Sequence, residues 1–131
     1  MLQLRTMMVP ADNSGAKRIM IIGVPGRVGR FASLGDVVLG VVKGADPAGG
    51  VVKGADPAGI VADHEKVRVL IVRTHKEVGR KDGSYVRFDD NAGVVIDKQG
   101  LPRGTRILGP IAREIKEAGY NKIASLAREV V

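Results

Sequence analysis

Short apolar runs divided by turn signals organise the first hundred residues. KRIMIIGV (17–24) is apolar and rich in branched side chains, and Pro25-Gly26 ends it. DVVLGVVK (36–43) follows a Gly-rich basic loop. In KVRVLIVRT (66–74), Val67, Val69 and Ile71 alternate with Arg68, Leu70 and Val72, the period of two that a strand requires. SYVRF (84–88) follows Asp82-Gly83, a hairpin-turn pair, and GVVID (93–97) follows the turn cluster DDNAG. About five short strands at this spacing predict a small barrel or sandwich.

The period changes near the end. Pro110 suits the first turn of a helix over IAREIKEAG, with Gly119 as its stop. Ile111, Ile115 and Ala118 then share a face opposite Arg113, Lys116 and Glu117. A second short helix is predicted over NKIASLARE, starting near Asn121. The chain reads as a β-domain with a short helical tail.

One block is copied in tandem: GVVKGADPAG occupies 40–49 and again 50–59. Two units are too few for a solenoid, which needs about three stacked repeats. The block reads as one duplicated strand-end and turn. Each copy carries one Lys and one Asp, so the second adds no net charge. Ten is even, so a lengthened strand would keep its in–out alternation.

Composition narrows the class. At 131 residues, 44% hydrophobic and 27% charged, the chain suits one folded domain. It has no Cys, which excludes disulfides and thiolate zinc sites. MLQLRTMMVP carries Arg5 within its apolar stretch and lacks a cleavage-like site, so it does not read as a secretory signal. No apolar run approaches the roughly 20 residues that span a bilayer. The net charge of +7 points instead to a polyanion, because each phosphate neutralised releases counterions.

Catalytic chemistry has little to draw on. His64 and His75 lie in polar segments without metal-ligand spacing, and Asp89, Asp90 and Asn91 before a turn read as turn residues. Gly23, Gly26 and Gly29 do not make the G-x-G-x-x-G fingerprint. Basic residues, by contrast, cluster. Lys17, Arg18, Arg27 and Arg30 stand at the start and end of the first strand-loop unit. Arg73, Lys76, Arg80, Lys81 and Arg87 stand against Glu77 and Asp82, a local balance of +3. A two-stranded ribbon over 76–88 would carry these charges to RNA phosphates, while a merely solvated hairpin is the competing reading. Phe31, Phe88, Tyr85 and Tyr120 are the only Phe, Tyr or Trp rings, too few for a single-strand stacking platform. Structured RNA fits better.

PADNSGAKRIMII, SLGDVVLGVVK, VLIVRT, RKDGSYVRFDDNAGVVI, PRGTRILGPIARE and KIASLAREVV occur in that order along nearly the whole chain. Together they resemble the universal ribosomal protein number fourteen family of the large subunit, in its bacterial or organellar form. The resemblance implies a mainly β fold: a small five-stranded β-barrel, a projecting β-ribbon and two short C-terminal α-helices. It divides a single domain (1–131) into the barrel over 1–100, with the ribbon at about 74–88, and a C-terminal loop with short helices over 101–131. It implies a non-enzymatic protein of the cytoplasmic ribosome (or an organellar one) that needs no cofactor or metal, touches no membrane and is not a homo-oligomer.

The partners it implies are large-subunit rRNA, small-subunit rRNA across the interface, large-subunit proteins numbers three and nineteen, and the ribosome silencing factor. The RNA-binding set is then Lys17, Arg18, Arg27, Arg30, Arg73, Lys76, Arg80, Lys81, Arg87 and Arg103. Lys43 and Lys53 fall in the loop that meets the small subunit, where the duplication (40–59) lengthens the chain. Thr105, Arg106, Lys122 and Ser125 form the silencing-factor surface. Asp12, Asn13 and Ser14 make a turn whose side chains cap local backbone. Arg128 stands where the family usually has Pro, which permits a further helical turn. A free-standing barrel that binds single-stranded nucleic acid is the alternative.

Overall fold

The computed structural model describes residues 2–25, 31–45, 61 and 64–131. Arg27, Arg30, Lys53 and the second copy of the repeat, named above, lie outside the described residues. β1 (Met7–Pro10), β2 (Ala16–Gly23), β3 (Val37–Ala45), β4 (Lys66–Arg73) and β7 (Ala92–Ile96) form a closed barrel in the order β1-β2-β3-β4-β7. Neighbours run antiparallel except β1 and β7, whose parallel pairing closes the ring. Between β4 and β7, β5 (Val78–Gly79) and β6 (Tyr85–Val86) make a separate two-stranded ribbon.

The barrel's fifth strand is therefore MMVP near the start of the chain, not the SYVRF run. Tyr85 and Val86 pair only with the ribbon, at Gly79 and Val78. The signal in β1 is four residues long and ends on Pro10, which weakens it as a strand. Pro10 is tolerated because Val9 and Ala11 supply the N–H groups, to the Asn91 and Gly93 carbonyls at 2.9 and 2.8 Å.

Alternation decides the interior. Met8, Ile19, Ile21, Val38, Val42, Val67, Val69, Ile71 and Val95 belong to one buried cluster. Gly40 lies in this crowded ring, where an added Cβ would stand 2.5 Å from Ile19 Cγ2. The opposite face of β4 and β7 is buried too. Leu70, Val72, Ala92, Val94 and Ile96 pack with Ile107, Ile111, Ile115 and Ile123 of the C-terminal segment. That second layer explains why LIV in β4 reads as a continuous apolar run rather than a strict alternation.

The tail departs from its predicted helices. α1 is only Glu114–Glu117, and α2 is Asn121–Leu126. Pro110 precedes an extended stretch, because the Ile111 N–H donates to the Glu129 carbonyl and the Val131 N–H donates to the Ile111 carbonyl. Gly119 stops α1 as expected, at φ 99. Ile111 and Ile115 are buried, but Ala118 is exposed, since α1 ends before it. Arg128 adds no helical turn: Ala127 is extended at ψ 144, and the chain beyond it pairs with Ile111.

The first repeat copy contributes Gly40–Ala45 to β3, so GVVKGA is strand there. The His64 N–H donates to the Val42 carbonyl of β3 at 2.8 Å.

Candidate nucleic-acid interface

β2 and β3 present the plainest cationic feature. Arg18 and Lys43 are direct register partners, and both are exposed. Side chains opposite one another on antiparallel strands share a face, and like charges there repel. Among the described residues no carboxylate pairs with either of them. Lys17, beside Arg18, is exposed as well. Two like charges held together without an acid make a ready site for an external anion.

The ribbon divides its cations. Asp82 Oδ1 accepts from the Ser84 N–H and Oγ at 2.9 and 2.6 Å, and Gly83 takes φ 91, so Asp-Gly turns the chain as its sequence predicts. The Ser84 bonds hold the Asp82 carboxyl below its ordinary pKa. Arg80 does not project. Its Nε and Nη2 donate to the two carboxylate oxygens of Glu114 at 3.1 and 3.0 Å, and Nη2 also donates to the Val131 carbonyl at 2.7 Å. The Glu114 bond raises the Arg80 pKa. The ribbon is thus strapped to α1. Lys81 and Arg87 remain exposed, and Lys76 forms a surface pair with Glu77 at 2.8 Å that holds the Glu77 carboxyl low. Such an exposed pair is weak.

Arg73 and Arg103 are also engaged inside the protein. Arg73 Nε lies 3.2 Å from Asp90 Oδ1, off the hydrogen-bonding line, and its Nη1 donates to the Leu108 carbonyl at 3.2 Å. Gly109 (φ 79) allows this approach, because a side chain there would run into the guanidinium. Arg103 Nη1 donates to Glu65 Oε2 at 3.1 Å.

Asp12, Asn13 and Ser14 are structural, as their turn suggests, with a reach beyond local capping. Asp12 and Ser14 are 5% and 0% exposed. Asp12 Oδ1 accepts from Ser14 Oγ at 2.8 Å, and Oδ2 accepts from the Val95 N–H of β7 at 3.0 Å. Burial raises the Asp12 pKa against these bonds. Asn13 Oδ1 accepts from the Thr105 and Arg106 N–H groups at 2.8 and 3.0 Å, and its Nδ2 donates to Thr105 Oγ1 at 2.8 Å. Gly104 lets that amide approach, since a Cβ there would stand 2.7 Å from Asn13 Oδ1. The PADNSGA turn therefore fixes the RGTRI loop and leaves the Thr105 and Arg106 side chains exposed. Lys122 and Ser125 are exposed on α2. Ile107 and Ile123, their buried neighbours, anchor loop and helix in one apolar cluster.

Among the described residues no group of three or more His, Cys, Asp and Glu side chains could hold a metal, and no helix is long and apolar enough to cross a membrane. Tyr85, on the ribbon, and Phe31, in the segment before β3, are 73% and 46% exposed. Lys66, Arg68 and Lys98 are exposed cations absent from the expected set. The outward phase of Arg68 in KVRVLIVRT was the available signal.

The family profile described as Ribosomal protein L14p/L23e matches residues 1–131. Among curated proteins, the large ribosomal subunit protein uL14 of Aquifex aeolicus (strain VF5) is 51% identical, and that of Aquifex pyrophilus is 50% identical. Both alignments cover 100% of this chain and 100% of the relative.

Proposed function

The chain belongs to the ribosomal protein L14p/L23e family, a structural constituent of the large ribosomal subunit rather than an enzyme, and on that premise we propose that it binds large-subunit rRNA through its exposed cations. The observation that carries this reading is the Arg18–Lys43 pair, two unneutralised charges facing each other on the barrel wall. A phosphate between them turns mutual repulsion into two favourable contacts. Lys17 extends that site, while Lys76, Lys81 and Arg87 supply a second one on the ribbon. Arg73, Arg80 and Arg103 serve it indirectly, by holding the surfaces that carry the others.

The end of β3 carries the further bridge function. Lys43 stands two residues before the strand ends, and with Lys53 of the duplicated segment it is the contact to small-subunit rRNA. Thr105 and Arg106, with Lys122 and Ser125, are the docking surface for the ribosome silencing factor. Support comes from their exposure and from the loop's rigid attachment through Asn13. Met7, Val9 and Ile22, exposed on the outer face of β1 and β2, offer apolar area to the neighbouring proteins numbers three and nineteen.

The test is binding of the full chain to protein-free large-subunit rRNA across a salt series. Tight binding that falls steeply with salt is expected, and Arg18→Glu with Lys43→Glu abolishes most of it. Absence of binding by the natural chain would sink the reading. Deleting 50–59 tests the bridge, with impaired subunit joining as the expected result and unchanged joining as its refutation.

A further inference from the structure

A concave pocket of about 350 Å³ opens where β3, β4 and the turn after β7 meet. Arg68 is the register partner of Leu39 on one side and of Ile96 on the other, so the three stand in a row across the barrel's outer wall. Leu39 is 37% exposed and Ile96 only 4%, with the Arg68 side chain exposed between them. Lys66 lies two residues before Arg68 on the same face of β4, and Lys98 tops the following turn; both are exposed. The carboxylate at the rim is engaged: Asp97 Oδ1 accepts from the Gln99 and Leu101 N–H groups at 2.8 and 2.9 Å. Arg103, on the far wall, holds Glu65.

This combination is specific in chemistry. An apolar floor alone would suit any aliphatic side chain, and a cationic rim alone would suit any phosphate. A nucleotide carries both a flat, weakly solvated base and a phosphate at fixed separation from it. The guanidinium plane of Arg68 can stack on a base where rings are absent. Lys66 and Lys98 are mobile point charges suited to phosphate. Resting on the reading that the chain binds rRNA, we propose that this pocket receives a single unstacked nucleotide of the large-subunit rRNA. Its base lies against Leu39 and Arg68, and its flanking phosphates lie on Lys66 and Lys98. This is a third RNA contact, distinct from the Arg18–Lys43 site and from the ribbon.

The experiment compares the natural chain with Arg68→Ala, Arg68→Lys and the double variant Lys66→Ala/Lys98→Ala, each bound to large-subunit rRNA with per-nucleotide chemical probing. With the natural chain, one nucleotide loses base reactivity on binding. Arg68→Ala restores that reactivity and weakens binding about tenfold, the scale of one lost stacking contact. Arg68→Lys also restores it but keeps the salt slope, because the charge survives and the plane does not. The Lys double variant lowers the slope by roughly 0.7–0.9 per lost phosphate contact. If the natural chain binds rRNA and all three variants match it in affinity, slope and protection, the pocket proposal is wrong while RNA binding stands. If the natural chain itself does not bind, both fall. Protection that Arg68→Ala and Arg68→Lys leave intact also overturns the nucleotide assignment, by placing the contact elsewhere.

Discussion

Arg80 and Lys81 are adjacent on the ribbon, equal in charge, and opposite in what they touch. The Arg80 side chain is 14% exposed and bonds Glu114 and the Val131 carbonyl, whereas Lys81 is exposed with no ion-pair partner among the described residues. The same division runs through the molecule. Asp12, Asn13, Arg73 and Arg80 join segments distant in sequence, and Arg18, Lys43, Lys81 and Arg87 face outward. Inner polar groups should therefore govern stability with little effect on RNA, and outer ones the reverse. Charge counted along the sequence does not separate them.

The largest effect is expected from Asp12→Ala. It strands the Val95 N–H and both Ser14 donors in a buried site, costing about 3 kcal/mol, measured by urea denaturation. Asp12→Asn gives a finer reading. Burial raises the Asp12 pKa above 3.8 in the folded protein, so the folded state holds this proton more tightly than the unfolded chain. The group's stabilisation is full below 3.8 and is lost as pH rises through the folded value. Asparagine cannot titrate, so stability of this variant should climb more steeply with pH above 3.8 than that of the natural chain. Parallel curves would remove Asp12 from the inner set.

Arg80→Ala comes next. Loss of a partly buried, two-pronged pair should cost about 2 kcal/mol while leaving the salt slope of RNA binding unchanged. A reduced slope with unchanged stability would put Arg80 among the outer cations. Lys81→Ala should show the converse pattern, with no shift in the denaturation midpoint and a slope lower by roughly 0.7–0.9. The smallest effect is the most diagnostic in sign. Lys43→Ala removes a like-charge neighbour of Arg18 and should stabilise the free protein by a few tenths of a kcal/mol, about the lower end for a cross-strand pair, while weakening RNA binding.

What the sequence revealed follows the same division. Strands β2, β3, β4 and β7 were legible because their apolar residues alternate or run together between turn signals. β1 was not, since four residues ending in proline carry too little period to stand out. The short α1 was overestimated because Ile111 and Ile115 have helical spacing, yet the Ile111 backbone pairs with the chain end. Nothing local announces that pairing. The basic clusters were legible as composition, but the engagement of Arg80 by Glu114, 34 residues away, depends on how the ribbon packs on the tail. Asn13 reads as a turn residue from its neighbours, and its grip on Thr105, 92 positions on, appears only in the fold.

The most direct measurement is the salt dependence of binding to large-subunit rRNA for two multiple variants, one outer (Arg18→Ala/Lys43→Ala/Lys81→Ala) and one inner (Arg80→Ala/Glu114→Ala). The outer variant should keep its folding stability and lose roughly 0.7–0.9 of slope for each phosphate contact removed. The inner variant should lose stability and, under conditions where it is folded, bind with the natural slope. Equal slopes for the outer variant and the natural chain would contradict the assignment of RNA binding to these cations.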